Sequence, residues 1–467
     1  MLYQKLFKQA GKQKITAGLI GAGHYGTAVV TQSFYTPHLS IPVVVDSNLE
    51  AAKNAFRYAG VNDADIVVCE TREDVLRAME SGKYAAAQDP GIIMDTPLDV
   101  IVEGTGNPEV GAQNVLAAIE HGKHVAMVNK ETDSVVGPIL NYKARQAGLV
   151  YTPVDGDQHG LLMGMISWAE TIGLNVISAG KARDVEYIYD PGQGVVMVES
   201  DGVAFKQSYR VEIPADKRQY FEFIAEGKAQ EYAAQRAAAL REIPRAQPFD
   251  LCEMTIVANA TGLDIDTPEL HNPIVGIAEI PEVLRLKDSH GGILGRASLD
   301  VVTCLRGKHD PGLGGGVFIV VSCENDYSRH ILINKGTLAN RAGSAALIYR
   351  PYHLCGVETA TSILAAGLLN LSTGSDSYVP RYDMVRIADT DLRAGTVIGN
   401  DHDTNFRAAV VEAVKVADRG PVPAHMLNGL KLIKDAAKDT VITFDMVEAP
   451  KGSVLWQLRS EQDKLFA

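Results

Sequence analysis

The apolar run Ile15-Thr-Ala-Gly-Leu-Ile20 leads directly into Gly21-Ala-Gly23-His-Tyr-Gly26, and a helix-compatible stretch follows. Glycines at this spacing, between a strand and a helix, suit a loop that wraps a phosphate. Gly21 is expected to make the tight turn and Gly23 to let the backbone approach a pyrophosphate. Gly26 is expected to let helix and strand pack closely. The helix N-terminus then offers free N–H groups to the phosphate. With His24 and Tyr25, these residues form the expected nucleotide loop. Asp46 ends the second apolar run, where an acid accepts hydrogen bonds from ribose hydroxyls and favours NAD. Ser47, Asn48, Lys53 and Arg57 leave room for a 2′-phosphate, so NADP stays open.

Alternation continues through residues 1–150. Ile41–Val45, Ile66–Val68, Val100–Glu103 and Val125–Val128 read as strands, with helices at Gly26–Phe34, Leu49–Tyr58 and Pro108–His121. The pattern implies a parallel, doubly wound Rossmann sheet. Gly104-Thr105-Gly106 and Asn129 follow strand ends and belong to the expected nucleotide cleft.

From residue 151 the pattern loosens. A packed helix is expected at Gly160–Gly173, and strands at Val176–Ala179, Val185–Ile188 and Val317–Val321. Further helices are expected at Ala229–Arg241 and Gly356–Leu371. Within Arg381–Asn400, a short strand, a turn at Asp391–Gly395 and a second strand suit a small β-rich unit. The division expected is 1–150, 151–375 and 376–467, because 467 residues exceed what one core sustains. The fold class is α/β, with a central α+β catalytic and oligomerisation domain.

Composition excludes several classes. The formal net charge of -13 argues against nucleic acid as a partner. The five cysteines are scattered without a CxxC pair, against a disulfide framework or zinc knuckle. No apolar run approaches the ~20 residues of a membrane helix. The N-terminus, with Lys5, Lys8, Lys12 and Lys14, lacks the apolar stretch of a signal peptide. The expectation is a cytoplasmic enzyme for a small molecule, assembled as a homo-oligomer, dimer or tetramer.

Three stretches carry chemistry. Lys130, in Asn129-Lys-Glu131, stands at a strand's carboxyl end, where a lysine reaches substrate oxygen. In Pro153-Val-Asp155-Gly-Asp157-Gln-His159, carboxylates at i and i+2 on an extended strand share a side and suit Mg²⁺ or Mn²⁺. The same pair equally suits a solvated acidic turn or a helix N-cap at Asp157. Lys181 follows a strand and Ser178-Ala-Gly180, and a substrate phosphate or carboxylate needs such a cation. Arg183, His290, Arg296, Lys308, His309, His353 and Glu358 are further candidate contacts.

These stretches resemble the homoserine-dehydrogenase-like proteins that end in a SAF module. Within that group they resemble the type II, deoxyxylulose phosphate reductoisomerase-like enzymes. The nucleotide loop with Asn129-Lys130 is similar to the homoserine dehydrogenase pattern. Asn129-Lys130-Glu131 and Pro153-Val-Asp155-Gly-Asp157 are similar to the Asn-Lys-Glu and Pro-Val-Asp-Ser-Glu of the reductoisomerases. Ser178-Ala-Gly180-Lys181 falls at their Gly-Ser-Gly substrate loop, and Arg381–Asn400 resembles a SAF module.

The resemblance implies NADP(H), with NAD(H) as the alternative, and a divalent cation, Mg or Mn, on Asp155 and Asp157. It leaves Glu253 as a candidate third ligand and Lys130 and Lys181 as catalytic. The chain departs from homoserine dehydrogenases at Asp250-Leu-Cys252-Glu253-Met254, where Asp250 matches but the second catalytic lysine is absent. The reaction implied first is reductive isomerisation of a ketose phosphate on an isoprenoid precursor route. Alternatives are a homoserine-dehydrogenase-like dehydrogenase, an oxidoisomerase of a sugar acid, and a non-catalytic NAD(P)-binding regulatory protein.

Overall fold

The computed structural model describes residues 2–10, 14–200, 207–243, 248–287 and 291–466. Strands β1 (Ile15–Ile20), β2 (Leu39–Val45), β3 (Ile66–Val68), β4 (Tyr84–Ala87), β5 (Val100–Glu103), β6 (His124–Met127) and β7 (Tyr151–Pro153) form a seven-stranded sheet in the order β3-β4-β2-β1-β5-β6-β7. Every pairing is parallel. Its strands are near-continuous apolar runs because helices cover both faces. Val43, Val45, Ile101 and Val125 feed one core cluster, while Ile15, Leu19, Val44 and Val102 feed the other. The chain leaves β1 for β2 on one side, while β5 lies on the other. The loops after β1 and β5 therefore flank the crevice where such sheets take ligands.

The second sheet is mixed. It runs β11 (Tyr209–Glu212), β10 (Val195–Val198), β9 (Tyr187–Asp190), β14 (Ser298–Arg306), β8 (Asn175–Ala182), β15 (Val317–Ser322), β17 (Ala346–Arg350) and β16 (Leu338–Ala339). The short β12 (Asp264–Ile265) and β13 (Ile274–Val275) pair with β14. The longest strand, β14, is buried along nearly its whole length and has no counterpart among the expected strands. Its Ser298-Leu-Asp-Val-Val-Thr303 mixes polar residues into an apolar run, which blurs the pattern. The buried helix Pro248–Thr261 was also not anticipated, because apolar residues surround it on all sides and leave no periodic stripe.

Two elements from the expected middle segment belong with the first sheet. They are β7 and the helix Ala360–Leu369, whose Ile363 and Leu364 pack into the core with Ile15 and Leu19. In the last segment β18 (Tyr382–Ala388) pairs with β19 (Phe406–Glu412). The second strand expected before Asn400 is therefore corrected: Val397 makes only an isolated bridge to Lys431. The helix Val454–Leu465 returns to the first domain. Pro138 interrupts the hydrogen bonding of the helix Lys130–Gln146, and Gln462 fills that gap, accepting from Ile139 N and donating to Val135 O. Among the described residues, no helix is long and apolar enough to cross a membrane.

Candidate active site

The glycines of the loop have distinct duties. Gly21 has φ +99°, and a Cβ there would lie 2.4 Å from the Gly104 carbonyl oxygen. A Cβ on Gly26 would lie 2.1 Å from Gly21 O. A Cβ on Gly23 would meet nothing within 4 Å, so that position faces open space above the loop. Asp46 accepts from Ala22 N at 2.7 Å and Asn48 N at 2.8 Å, tying the loop to the end of β2. The nearby cations are engaged: Arg57 pairs with Asp63 and Glu50, and Lys53 with Glu50. His24 is exposed at the helix start. The Tyr25 hydroxyl lies 2.8 Å from Thr359 Oγ1, at the start of the helix Ala360–Leu369. Burial and the charge of Asp157 push the Tyr25 phenol well up.

Asn129 faces inward. It is 1% exposed, its oxygen caps Thr132 N, and its amide donates to Glu103, Thr105 Oγ1 and Asn107 O. It anchors the start of the helix Lys130–Gln146, and Thr105 turns its own hydroxyl to Glu103. Gly104 and Gly106 line the same loop.

Lys130 opens that helix, and its ammonium donates to Glu253 Oε1. Lys181, on β8, reaches the other oxygen of Glu253 at 2.6 Å and Asp250 Oδ1 at 2.9 Å. Arg183 Nε lies 3.5 Å from Asp250 Oδ2. Both ammonium groups stand 5.8 Å from the centre of the Phe249 ring, which walls the cluster. Two lysines, one at the start of the helix after β6 and one on β8 of the second sheet, thus converge on one carboxylate that is 1% exposed.

Burial works to neutralise Lys130, but Glu253, Asp157 and Glu131 outweigh it and hold the ammonium well above the ordinary lysine value. Burial opposes the charge of Lys181 too, and Asp250 and Glu253 overcome it. Glu253 and Asp157 are held below the ordinary carboxylate value against burial. Lys130 and Lys181 lower Glu253; His159 and Lys130 lower Asp157. Lys130, Lys181, Glu253 and Asp157 are each held toward their charged form. Desolvation alone would neutralise each of these groups, so none is stable without the others.

The three expected metal ligands do not meet. Gly156 has φ +93°, which breaks the extended geometry assumed for Asp155 and Asp157. Asp155 turns to Thr361 Oγ1 at 2.7 Å, while Asp157 caps Gln158 N and faces His159 Nδ1 at 3.7 Å. Glu253 serves the lysines. Among the described residues, no group of three or more His, Cys, Asp or Glu side chains is placed to hold a metal ion. The donors present do not fit a divalent cation.

His353 Nδ1 lies 2.6 Å from Gly315 O, and Glu358 pairs with Arg350. Arg296 stands among Asp264 and Asp266, away from the cluster, and Lys308 and His309 are exposed. His290 lies outside the described residues. Sequence reasoning missed His159, which is fully buried beside Asp157. Its one signal was a place two residues after Asp157 at a helix start. It also missed the role of Asp250 as a partner of Lys181.

Residues 249–359 match the sequence model of the family described as "Oxidoreductase DRL, catalytic domain". That stretch contains Phe249, Asp250 and Glu253. A homoserine dehydrogenase from Methylobacillus glycogenes is 30% identical over 117 residues, which is 25% of this chain and 25% of that protein. The chain thus spans about a quarter of that relative's length. Similar solved structures include a 1-deoxy-D-xylulose 5-phosphate reductoisomerase from Zymomonas mobilis in complex with NADPH, at 19% identity, 37% of this chain, 46% of that chain and TM-score 0.27. Another is the myo-inositol dehydrogenase of Lactobacillus casei with NAD(H) and myo-inositol, at 17% identity, 38% and 48% coverage and TM-score 0.26. At such identities and scores, these likenesses say nothing about chemistry. What the matches show is that residues 249–359 are similar to an oxidoreductase catalytic domain.

Proposed function

We propose that the chain is a nicotinamide-dependent oxidoreductase that interconverts hydroxyl and carbonyl on a small anionic polyhydroxy compound, a sugar acid or sugar phosphate. The observation that carries this reading is the convergence of Lys130 and Lys181 on Glu253, with Asp157 acting on both Lys130 and the loop's Tyr25. The glycine loop fits a dinucleotide: Gly21 and Gly26 make the close packing, and Gly23 leaves the space. A bound nicotinamide would supply or accept hydride. NAD(H) is preferred over the NADP(H) implied by resemblance, because Asp46 directly follows β2, where an acid would meet ribose hydroxyls, and Lys53 and Arg57 are paired with acids.

In the reducing direction Lys130 hydrogen-bonds the substrate carbonyl oxygen and gives it a proton as negative charge develops there. Glu253 holds the ammonium in place, and Lys181 keeps Glu253 ionised. Phe249 excludes water from one side. In the oxidising direction Lys130 must first give up its own proton and then takes the hydroxyl proton as hydride leaves for the nicotinamide. No step is routed through a cation, because Asp155, Asp157 and Glu253 do not converge. A second reading, skeletal rearrangement coupled to reduction, rests on the resemblance of Asn129-Lys130-Glu131 and Pro153-Val-Asp155 to the reductoisomerases. Residues 376–467 are read as a SAF-like module.

The test is a screen of ketose phosphates, sugar acids and homoserine with NADH and NADPH, in excess EDTA and with Mn²⁺. Turnover that survives EDTA and is lost in Lys130→Ala supports the reading. Turnover that needs Mn²⁺ promotes the reductoisomerase-type reaction. Tight nucleotide binding with no turnover on any compound points to a regulatory protein.

A further inference from the structure

The helix that carries Lys130 is gripped by the C-terminal segment at several places. Ser134, one turn after Lys130, lies with its Oγ 3.1 Å from His425 Nδ1. The other ring nitrogen of His425, Nε2, donates to Asp401 Oδ2 at 3.0 Å. Arg386 approaches Asp401 at 3.3 Å and is itself held by Gly399 O and Asn428, both at 2.8 Å. Two turns on, Gln462 occupies the gap at Pro138. Tyr378 donates to Asp133 at 3.0 Å. Ser134, His425 and Arg386 are all buried.

This chain of contacts leads to the reacting end of the helix. The Lys130 carbonyl accepts from Cys252 Sγ at 3.4 Å, so the same turn is pinned against the helix of Glu253 on its other side. Glu131 lies between the two: burial raises its carboxyl, while His425 and Lys130 draw it down. Asp401 is held as a carboxylate against burial, chiefly by His425 and Arg386.

We propose that His425 is a positioning residue for Lys130: through Ser134 it fixes the first turn of the helix, so the C-terminal segment is part of the catalytic unit. The inference rests on Lys130 as the group that meets substrate. The alternative role for the segment, an interaction module attached to a complete enzyme, requires none of these buried links. Displacement of a catalytic group by about 1 Å can lower turnover on the order of 100-fold, so a hydrogen bond this close to Lys130 has leverage well beyond its own stability.

The test uses the full chain and reductive methylation by formaldehyde and cyanoborohydride, with peptide mass reporting each lysine. His425→Ala and Ser134→Ala are expected to speed methylation of Lys130 severalfold while Lys181 stays protected. The double variant should add little to either single one. His425→Asn, which keeps a group at Nδ1 facing Ser134, should restore protection; His425→Gln, which keeps only the bond to Asp401, should not. Under the turnover assay the two alanine variants should lower kcat with KM for the nucleotide unchanged. Unaltered Lys130 methylation in both alanine variants overturns the proposal. So does equal deprotection of Lys130 and Lys181, which would mean general loosening. Full turnover in Lys130→Ala is a separate result: it removes the catalytic reading of Lys130, and the positioning role with it.

Discussion

The nucleotide loop and the charged cluster solve opposite problems. The loop works through backbone within Gly21–Gly26 and needs side chains to be absent. The cluster works through side chains drawn from residues 130, 157, 159, 181, 250 and 253, and needs all of them to be present. A loop of the first kind fails position by position, each glycine for its own reason. A cluster of the second kind fails as a unit, because the charges of Lys130, Lys181, Glu253 and Asp157 are maintained by their neighbours.

The sharpest way to break that contrast is to remove one buried cation. Lys181→Met leaves Asp250 and Glu253 without their shared ammonium in a dry site. Breaking a buried pair this way costs about 3–5 kcal/mol. Urea unfolding should show that loss, and turnover should vanish. A loss below about 1 kcal/mol would mean that the remaining charges do not depend on Lys181.

Within the loop, Gly23→Val should reduce nucleotide affinity by roughly 100-fold or more, since the side chain fills the pyrophosphate space. Unfolding by urea should be unchanged, because nothing in the protein lies within 4 Å of that Cβ. Gly26→Ala should instead destabilise the fold, its methyl driven against Gly21 O. If the two variants behaved alike in calorimetric titration and unfolding, the separation of duties would be wrong.

Asp46→Ala sharpens the cofactor side. It should weaken NADH by about tenfold, the scale of a charge-assisted hydrogen bond, and NADPH by less. A wild type that already prefers NADPH strongly would contradict the geometry around Asp46.

The smallest effect is in acid. Asp157 is held below its unfolded value, so it contributes stability that is present above about pH 4 and is lost as pH falls further. Asp157→Asn should therefore show a shallower fall in stability below pH 4 than wild type, measured by urea midpoints. Parallel curves would show that Asp157 is not stabilised by His159 and Lys130.

Much of the first sheet was legible because its signals are local. A strand that must be apolar on both faces, followed at once by glycines that a turn and a close helix require, leaves little choice within a dozen residues. The expectation of a dinucleotide came from the same stretch. Lys130 was visible because a strand end in such a sheet is a defined place.

Lys181 was legible only as a cation in want of an anion; that its anion is Glu253, a residue of the protein, was not. Glu253 reads as a metal ligand in the sequence, and in the folded chain its carboxylate faces Lys130 and Lys181. A carboxylate in a sequence does not say what it faces, and the pairing of β8 with β14 and the packing of the helix Pro248–Thr261 decided it. Asp155 and Asp157 looked like neighbours on a strand, until one left-handed glycine between them sent their side chains apart. Conformations encoded within a few residues were set by the sequence itself. Charges 72 and 123 residues apart found their partners only when desolvation in the folded core left them no alternative.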